Sequence, residues 1–229
     1  MLVHIPHILS ASQLDQVHTT LAQAGDAWVD GRITAGFQGA PVKRNQQIDE
    51  HSAFARALGD MIVGQLERNP LFISACLPHA IYPPMFNRYG EGMHFGSHVD
   101  GAIRVVPGQH GQKLRTDISC TLFLTDPTSY DGGELEIDDT YGAHRVKLAA
   151  GDMIAYPASS VHRVTPVTRG ERVACFFWVQ SMVRDDQQRA QLYALDGAIQ
   201  TLNQTQADEG ARTTLVGHYH NLLRMWADA

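Results

Sequence analysis

Residues 131–156, DGGELEIDDTYGAHRVKLAAGDMIAY, decide the fold class. Three short runs of strand character lie within them, Glu134 to Ile137, His144 to Leu148 and Asp152 to Tyr156, set apart by the turn signals Asp131-Gly132-Gly133 and Ala150-Gly151-Asp152. Working outward, Ile118 to Leu124 precedes them and Val173 to Val183 follows with the same texture. Several short strands at such spacing suit a sandwich or jelly roll.

Both flanks read as helical. Near the start, Ser12-Gln13-Leu14-Asp15 reads as a helix cap, and Leu14, Val17 and Leu21 repeat at helical spacing. Residues 51–68 repeat the signal through Phe54, Leu58, Ile62 and Leu66, and Asn69-Pro70 is expected to stop that helix. Beyond Val183, Leu192, Leu195, Ile199 and Leu202 form one stripe; Asp208-Glu209-Gly210 breaks it before a second through Leu215, Tyr219, Leu222 and Trp226. The expected organisation is residues 1–79 as helices and strands packing on the core, 80–183 as the β core, and 184–229 as a helical extension. The extension either covers an open face of the core or joins two subunits in a homo-oligomer.

A chain of 229 residues, 44% hydrophobic and 18% charged, is long enough for a sizeable core. Its net charge of −6, with no Lys/Arg cluster, argues against a nucleic-acid partner. Without a basic leader or a long apolar run the reading is a cytoplasmic protein with no membrane partner. Cys76, Cys120 and Cys175 form no C-x-x-C pair, and the last two sit in apolar runs as small buried hydrophobes.

The chemistry concentrates in His98-Val99-Asp100, His162 and Arg172. An H-x-D triplet arises by chance roughly once in a chain of this composition, so its context carries the weight. On a strand, positions 98 and 100 share a face. Two imidazoles and one carboxylate can hold a ferrous ion on one side and leave the other open to O2. Arg172, ten residues beyond His162, could return on a strand-turn-strand excursion to offer a planar fork to a carboxylate. Iron (+2), Asp100 (−1), a dianionic co-substrate (−2) and Arg172 (+1) sum to zero, which avoids the cost of an unpaired buried charge. Ligation needs neutral imidazoles, so metal occupancy is expected to fall below the ordinary histidine pKa of about 6.5.

Taken with Asn87-Arg88-Tyr89-Gly90-Glu91-Gly92, Phe123-Leu124-Thr125-Asp126, Gly132-Gly133-Glu134-Leu135, Gly151-Asp152 and Gly170-Glu171-Arg172, these residues resemble the bacterial PKHD-type hydroxylases. That family is a branch of the iron(II)/2-oxoglutarate-dependent dioxygenases related to prolyl 4-hydroxylases. The resemblance implies an α+β protein: a double-stranded β-helix (jelly roll) core with N-terminal bracing helices and a C-terminal helical pair. It implies Fe(II) at His98, Asp100 and His162, 2-oxoglutarate held by Arg172, O2 as oxidant, and L-ascorbate as a family expectation. The implied reaction hydroxylates a substrate while 2-oxoglutarate is decarboxylated to succinate and CO2. Tyr89, nine residues before His98, is similar in spacing to a co-substrate tyrosine of prolyl hydroxylases. Thr121, Phe123 and Trp178 fall at positions similar to pocket-lining ones, where each could equally be core; Phe123 lacks the hydroxyl that relatives use on the distal carboxylate.

Residues 101–115, with Gly101, Pro107, Gly108 and Gly111, read as a surface loop or as a lid whose Arg104, His110, Lys113 and Arg115 meet an acidic or polar substrate. His94 would compete as a ligand only in a helix, which Gly90, Gly92 and Gly96 oppose. His218 and His220 diverge on a helical stripe and read as surface. The substrate, small molecule or peptidyl, stays open, as do a sensing module without turnover and a cupin-like enzyme that would have no use for Arg172.

Overall fold

Two β-sheets face each other in the computed structural model, which describes residues 1–109, 111–139, 142–205 and 208–228. The strands are β1 (Val3–Ile5), β2 (Trp28–Asp30), β3 (Lys43–Arg44), β4 (Gln46–Ile48), β5 (Pro78–Ile81), β6 (Met85–Tyr89), β7 (His94–His98), β8 (Ile103–Val105) and β9 (Lys113–Arg115). They continue with β10 (Ile118–Phe123), β11 (Asp131–Gly132), β12 (Leu135–Asp139), β13 (Gly142–Val146), β14 (Met153–Pro157), β15 (His162–Val164), β16 (Val167–Arg169) and β17 (Arg172–Ser181). The larger sheet runs β1-β14-β10-β17-β6-β4-β2, with β5 also on β17; the smaller runs β13-β12-β15-β7-β3. Every pairing is antiparallel, and the result is a jelly-roll core.

The strand period of two sorts the side chains of the larger sheet. Ile118, Cys120 and Leu122 of β10, Cys175, Phe177 and Val179 of β17, and Phe86 of β6 point outward into one apolar cluster. Helices α1 (Ala11–Ala22), α2 (Ala53–Leu66) and α3 (Pro70–Cys76) cover that face with Val17, Leu21, Leu58, Ile62, Leu66 and Phe72. Cys76, Cys120 and Cys175 are free thiols buried in this layer. Tyr89, Phe123, Ile154 and Tyr156 point the other way and meet Leu135, Ile137, Val146 and Val164 of the smaller sheet.

Four local expectations change. Helix α1 is capped by Ser10 rather than Ser12: Ser10 Oγ accepts from the Gln13 amide and Gln13 Oε1 accepts from the Ser10 amide, a reciprocal box. Helix α2 ends at Leu66, before Asn69-Pro70 as expected, but Pro70 also begins α3, because at the first helical position its missing N–H costs nothing. The His144–Leu148 strand lies two residues earlier. Residues 101–115 form a hairpin, β8 on β9, rather than an irregular loop; His110 lies outside the described residues.

The tail folds as α4 (Asp186–Asn203) and α5 (Glu209–Trp226), capped by Asp185 and Asp208, so Asp208-Glu209-Gly210 starts the second helix as well as breaking the first. Leu192 packs with Leu77 and Val183 at the end of the larger sheet, and Tyr219, Leu222, Leu223 and Trp226 close over them. Ser74 of α3 donates to Asp196 of α4 at 2.6 Å. Buried Arg189 donates to the carbonyls of Val183 and Arg184 and to Asp186, fixing the turn into α4. His218 and His220 are exposed. Among the described residues no helix is long and apolar enough to cross a membrane.

Candidate active site

His98 ends β7 and His162 begins β15, directly opposite each other across the ladder. The next partners are Phe95 and Val164, so three residues of β7 span two of β15. The bulge breaks the alternation of β7, and Phe95 reaches the same side as His98, where the rings stack at 3.6 Å. Gly96 lies inside the bulge; a Cβ there would come within 2.8 Å of the Val42 side chain. Asp100, two residues past His98, swings to the larger sheet, where Ser119 Oγ of β10 donates to its carboxylate at 2.6 Å.

The ligand atoms of His98, Asp100 and His162 all lie within 4.8 Å of one another. Each imidazole is oriented from behind: His98 Nδ1 donates to the Gly96 carbonyl at 2.8 Å and His162 Nδ1 to the Ser160 carbonyl at 3.0 Å, leaving both Nε2 lone pairs for a metal. Tyr156 sets its ring edge-on to His162 at 5.3 Å. Burial, and then the neighbouring His162, lower the His98 pKa from 6.5 to about 4, so this ligand stays neutral well below the ordinary histidine range. Two imidazoles and a carboxylate pointed at one spot fit a divalent iron, and they leave the far side of it to the cavity.

That cavity, about 460 Å³, lies between the sheets. At one end Arg172 opens β17, opposite Tyr89 of β6, and is 1% exposed. Its guanidinium sits 5.4 Å from the Tyr89 ring and 5.2 Å from the Phe123 ring, and its buried Nε has no partner. A buried guanidinium walled by aromatic faces and short of an acceptor suits a carboxylate. Gly133 makes room: a Cβ there would press within 3.1 Å of Arg172 Cδ. Burial pushes the Tyr89 hydroxyl up to about 12, keeping it a donor. Tyr130, whose buried hydroxyl lacks a partner, flanks the same guanidinium.

The outer strands bring in residues that sequence reasoning did not single out. Lys43, on a strand of two residues paired to β7, is buried at 4% exposure; its Nζ donates to Thr34 Oγ1 at 3.2 Å and sits 5.0 Å from the Phe95 ring centre. Ser119, Asn87 and Tyr156 also line the cavity. A lysine between short segments reads as surface, and no local signal marks it as internal.

The sequence profile of the 2OG-Fe(II) oxygenase superfamily matches residues 84–180, and that of the PKHD-type hydroxylase C-terminal domain matches residues 186–228. A PKHD-type hydroxylase of Cupriavidus metallidurans is 66% identical over 228 residues and one of Paraburkholderia phytofirmans 67%, each comparison covering 100% of both chains. The chain belongs to the PKHD-type hydroxylase family. It is an oxidoreductase, a dioxygenase of the 2-oxoglutarate/iron(II) superfamily, and membership implies iron(II) and 2-oxoglutarate. Among solved structures, a Pseudomonas putida prolyl-4-hydroxylase matches at TM-score 0.52 and 20% identity, covering 79% of this chain and 92% of that one. A Trichoplax adhaerens prolyl hydroxylase, in complex with a hypoxia inducible factor fragment, matches at 0.53 and 14%, covering 83% and 86%. At these identities the likeness shows the fold.

Of the sequence-predicted residues, the structure brings His98, Asp100, His162, Arg172, Tyr89, Thr121 and Trp178 to one cavity. It does not bring Trp178 beside Arg172: both face the cavity from β17, but six residues apart, roughly 20 Å of strand. Trp178 meets Tyr82 and Phe176 edge-on, at 5.4 and 5.7 Å, and carries the Arg104 guanidinium at 4.6 Å. Lys113 is exposed and Arg115 pairs with Asp117, which among the described residues leaves Arg104 as the hairpin cation lining the cavity. His94 is not one of the converging ligands.

Proposed function

We propose that this PKHD-type hydroxylase binds Fe(II) through His98, Asp100 and His162, anchors the distal carboxylate of 2-oxoglutarate on Arg172, and hydroxylates a small-molecule or peptidyl substrate. The observation that supports this reading most is the meeting of a three-ligand cluster and a buried, partner-seeking guanidinium in a single cavity. When bound, the iron and its co-substrate supply the oxidising chemistry: O2 is consumed and 2-oxoglutarate becomes succinate and CO2. The protein's part is orientation and exclusion of water.

The Gly96 and Ser160 carbonyls hold each histidine in the tautomer that presents Nε2, and Ser119 holds the carboxylate rotamer of Asp100. A filled Asp100 position favours hydroxylation over halogenation, where relatives need a vacant ligand site. Arg172, with Tyr89 and Tyr130 beside it, neutralises the co-substrate's far end, and Thr121 offers a hydroxyl between that end and the metal. Trp178, from its position, belongs to the substrate side. Ascorbate, as a reductant that restores iron(II), joins the proposal on family grounds. A cytoplasmic setting and self-association through α4 and α5 remain part of it.

Anaerobic titration with Fe(II) and 2-oxoglutarate tests the assignment through the visible charge-transfer band of the chelate. The band is expected in the native protein and absent in His98→Ala, Asp100→Ala and His162→Ala. Arg172→Ala should need about tenfold to a hundredfold more 2-oxoglutarate, as for a lost charge-assisted hydrogen bond. A folded, iron-loaded protein that releases no succinate in air, coupled or uncoupled, would turn the reading toward a sensing module.

A further inference from the structure

We propose that Lys43 and Arg104 form an anion-binding subsite for the primary substrate, which is therefore a carboxylic acid with an apolar body. The inference deepens the proposed function and rests on it. Charge is the first argument. With iron in the triad and 2-oxoglutarate on Arg172 that part of the cavity sums to zero, yet two more cations line it. Arg104 and Lys43 are close enough that the arginine helps to lower the lysine pKa, after burial, to about 8. The two carboxylates whose attraction Lys43 feels are already engaged: Asp100 is a triad ligand, and Asp30 holds Arg32 through both oxygens. Like charges held together beside a site whose own charges already balance are costly, and an entering carboxylate relieves the repulsion.

The surroundings are built rather than incidental. Lys43 is fixed by Thr34 and the Phe95 ring, and Arg104 lies against Tyr82 and Trp178 at 5.2 and 4.6 Å. Gln47 Nε2 and Asn87 Oδ1 are buried without partners, and both side chains line the same cavity. They add a free donor and a free acceptor for a polar group next to the anion. At the mouth Phe37, Val99 and Ile103 are exposed, at 88%, 51% and 55%, and each lines the opening. Cations inside and apolar side chains outside describe an amphipathic acid.

The test uses the full-length protein and a panel of N-acyl amino acids, N-acetyl-leucine and N-acetyl-phenylalanine among them, each with its neutral amide. Affinities are read by calorimetry with and without Fe(II) and 2-oxoglutarate, and the charge-transfer band is followed in parallel. The expected result is a preference for acids over amides of about tenfold or more, lost in Lys43→Met and in Arg104→Met, with Lys43→Arg retaining it. Short peptides ending in the same residue, as acid or amide, separate a free metabolite from a peptide terminus; discrimination in either source supports the subsite. No preference in the native protein overturns the inference. So does a Lys43→Met variant that weakens 2-oxoglutarate as strongly as Arg172→Met does, because Lys43 would then serve the co-substrate. Failure of the band in the native protein instead removes the oxygenase reading, whereas the calorimetric comparison without Fe(II) and 2-oxoglutarate tests the subsite by itself.

Discussion

At the scale of single residues, Lys43 sets function against stability. Its pKa falls from 10.5 to about 8, and burial is the main cause. The folded protein therefore holds its proton less tightly than the unfolded chain, so the cost of burying the charge is full below pH 8 and is relieved as pH rises toward 10.5. Lys43→Met removes that cost while keeping most of the side-chain volume. The variant should be more stable at pH 7, with a ceiling of about 3 kcal/mol at roughly 1.36 kcal/mol per pH unit, and the gain should shrink above pH 8. Denaturant melts at pH 7 and pH 10 check both parts, and a variant less stable at pH 7 would refute them. His98 works in the same direction in acid. Lowered to about 4, it must stay neutral in the fold while the unfolded chain protonates near 6.5, so the metal-free protein loses stability as pH falls through that window. His98→Gln should flatten that part of the pH–stability profile.

At the scale of elements, the bulge of β7 and the glycines near Arg172 place the chemistry. Gly133 has φ +65°, and an added Cβ would press on Arg172 Cδ, Val167 and Tyr130 at 3.0 to 3.1 Å. Gly133→Ala should cost about 1–3 kcal/mol through backbone strain and weaken 2-oxoglutarate binding without removing the metal, a split that denaturation and band titrations resolve. Much of this level was legible in advance. Turn signals at Asp131-Gly132-Gly133 and Ala150-Gly151-Asp152 bounded the strands, and the family resemblance put Thr121 and Phe123 at pocket-lining positions; Ser119, on the same face of β10, carried no such mark. The bulge left no local mark, because it arises from the mismatch between two strands far apart in the chain. Pro70 was read only as a stop for α2: proline disfavours a helix interior but suits a helix start, and Asn69, whose side chain accepts from the Phe72 amide, marks that start.

Across the whole molecule, the site depends on a sandwich whose outer face is sealed by helices on one side and by the tail at one end. Leu192 is fully buried between the tail and the end of the larger sheet, away from the cavity. Leu192→Ala should cost about 2–5 kcal/mol and leave the charge-transfer band of the folded fraction unchanged; a shifted band would show that the tail reaches the site. The triad and Arg172 could be read from sequence because their residue types and spacing are tied to one another through the sheet. Lys43 could not, because only the meeting of β3 with β7 turns a lysine of ordinary appearance inward. The helix layer carries a consequence for handling the protein. Burial pushes the thiols of Cys120 and Cys175 well above the normal range, and Cys76 lies in the same closed layer. An alkylating reagent can reach them only when helices and sheet part. The speed at which mass accumulates on these sulfurs is thus a clock for rare openings.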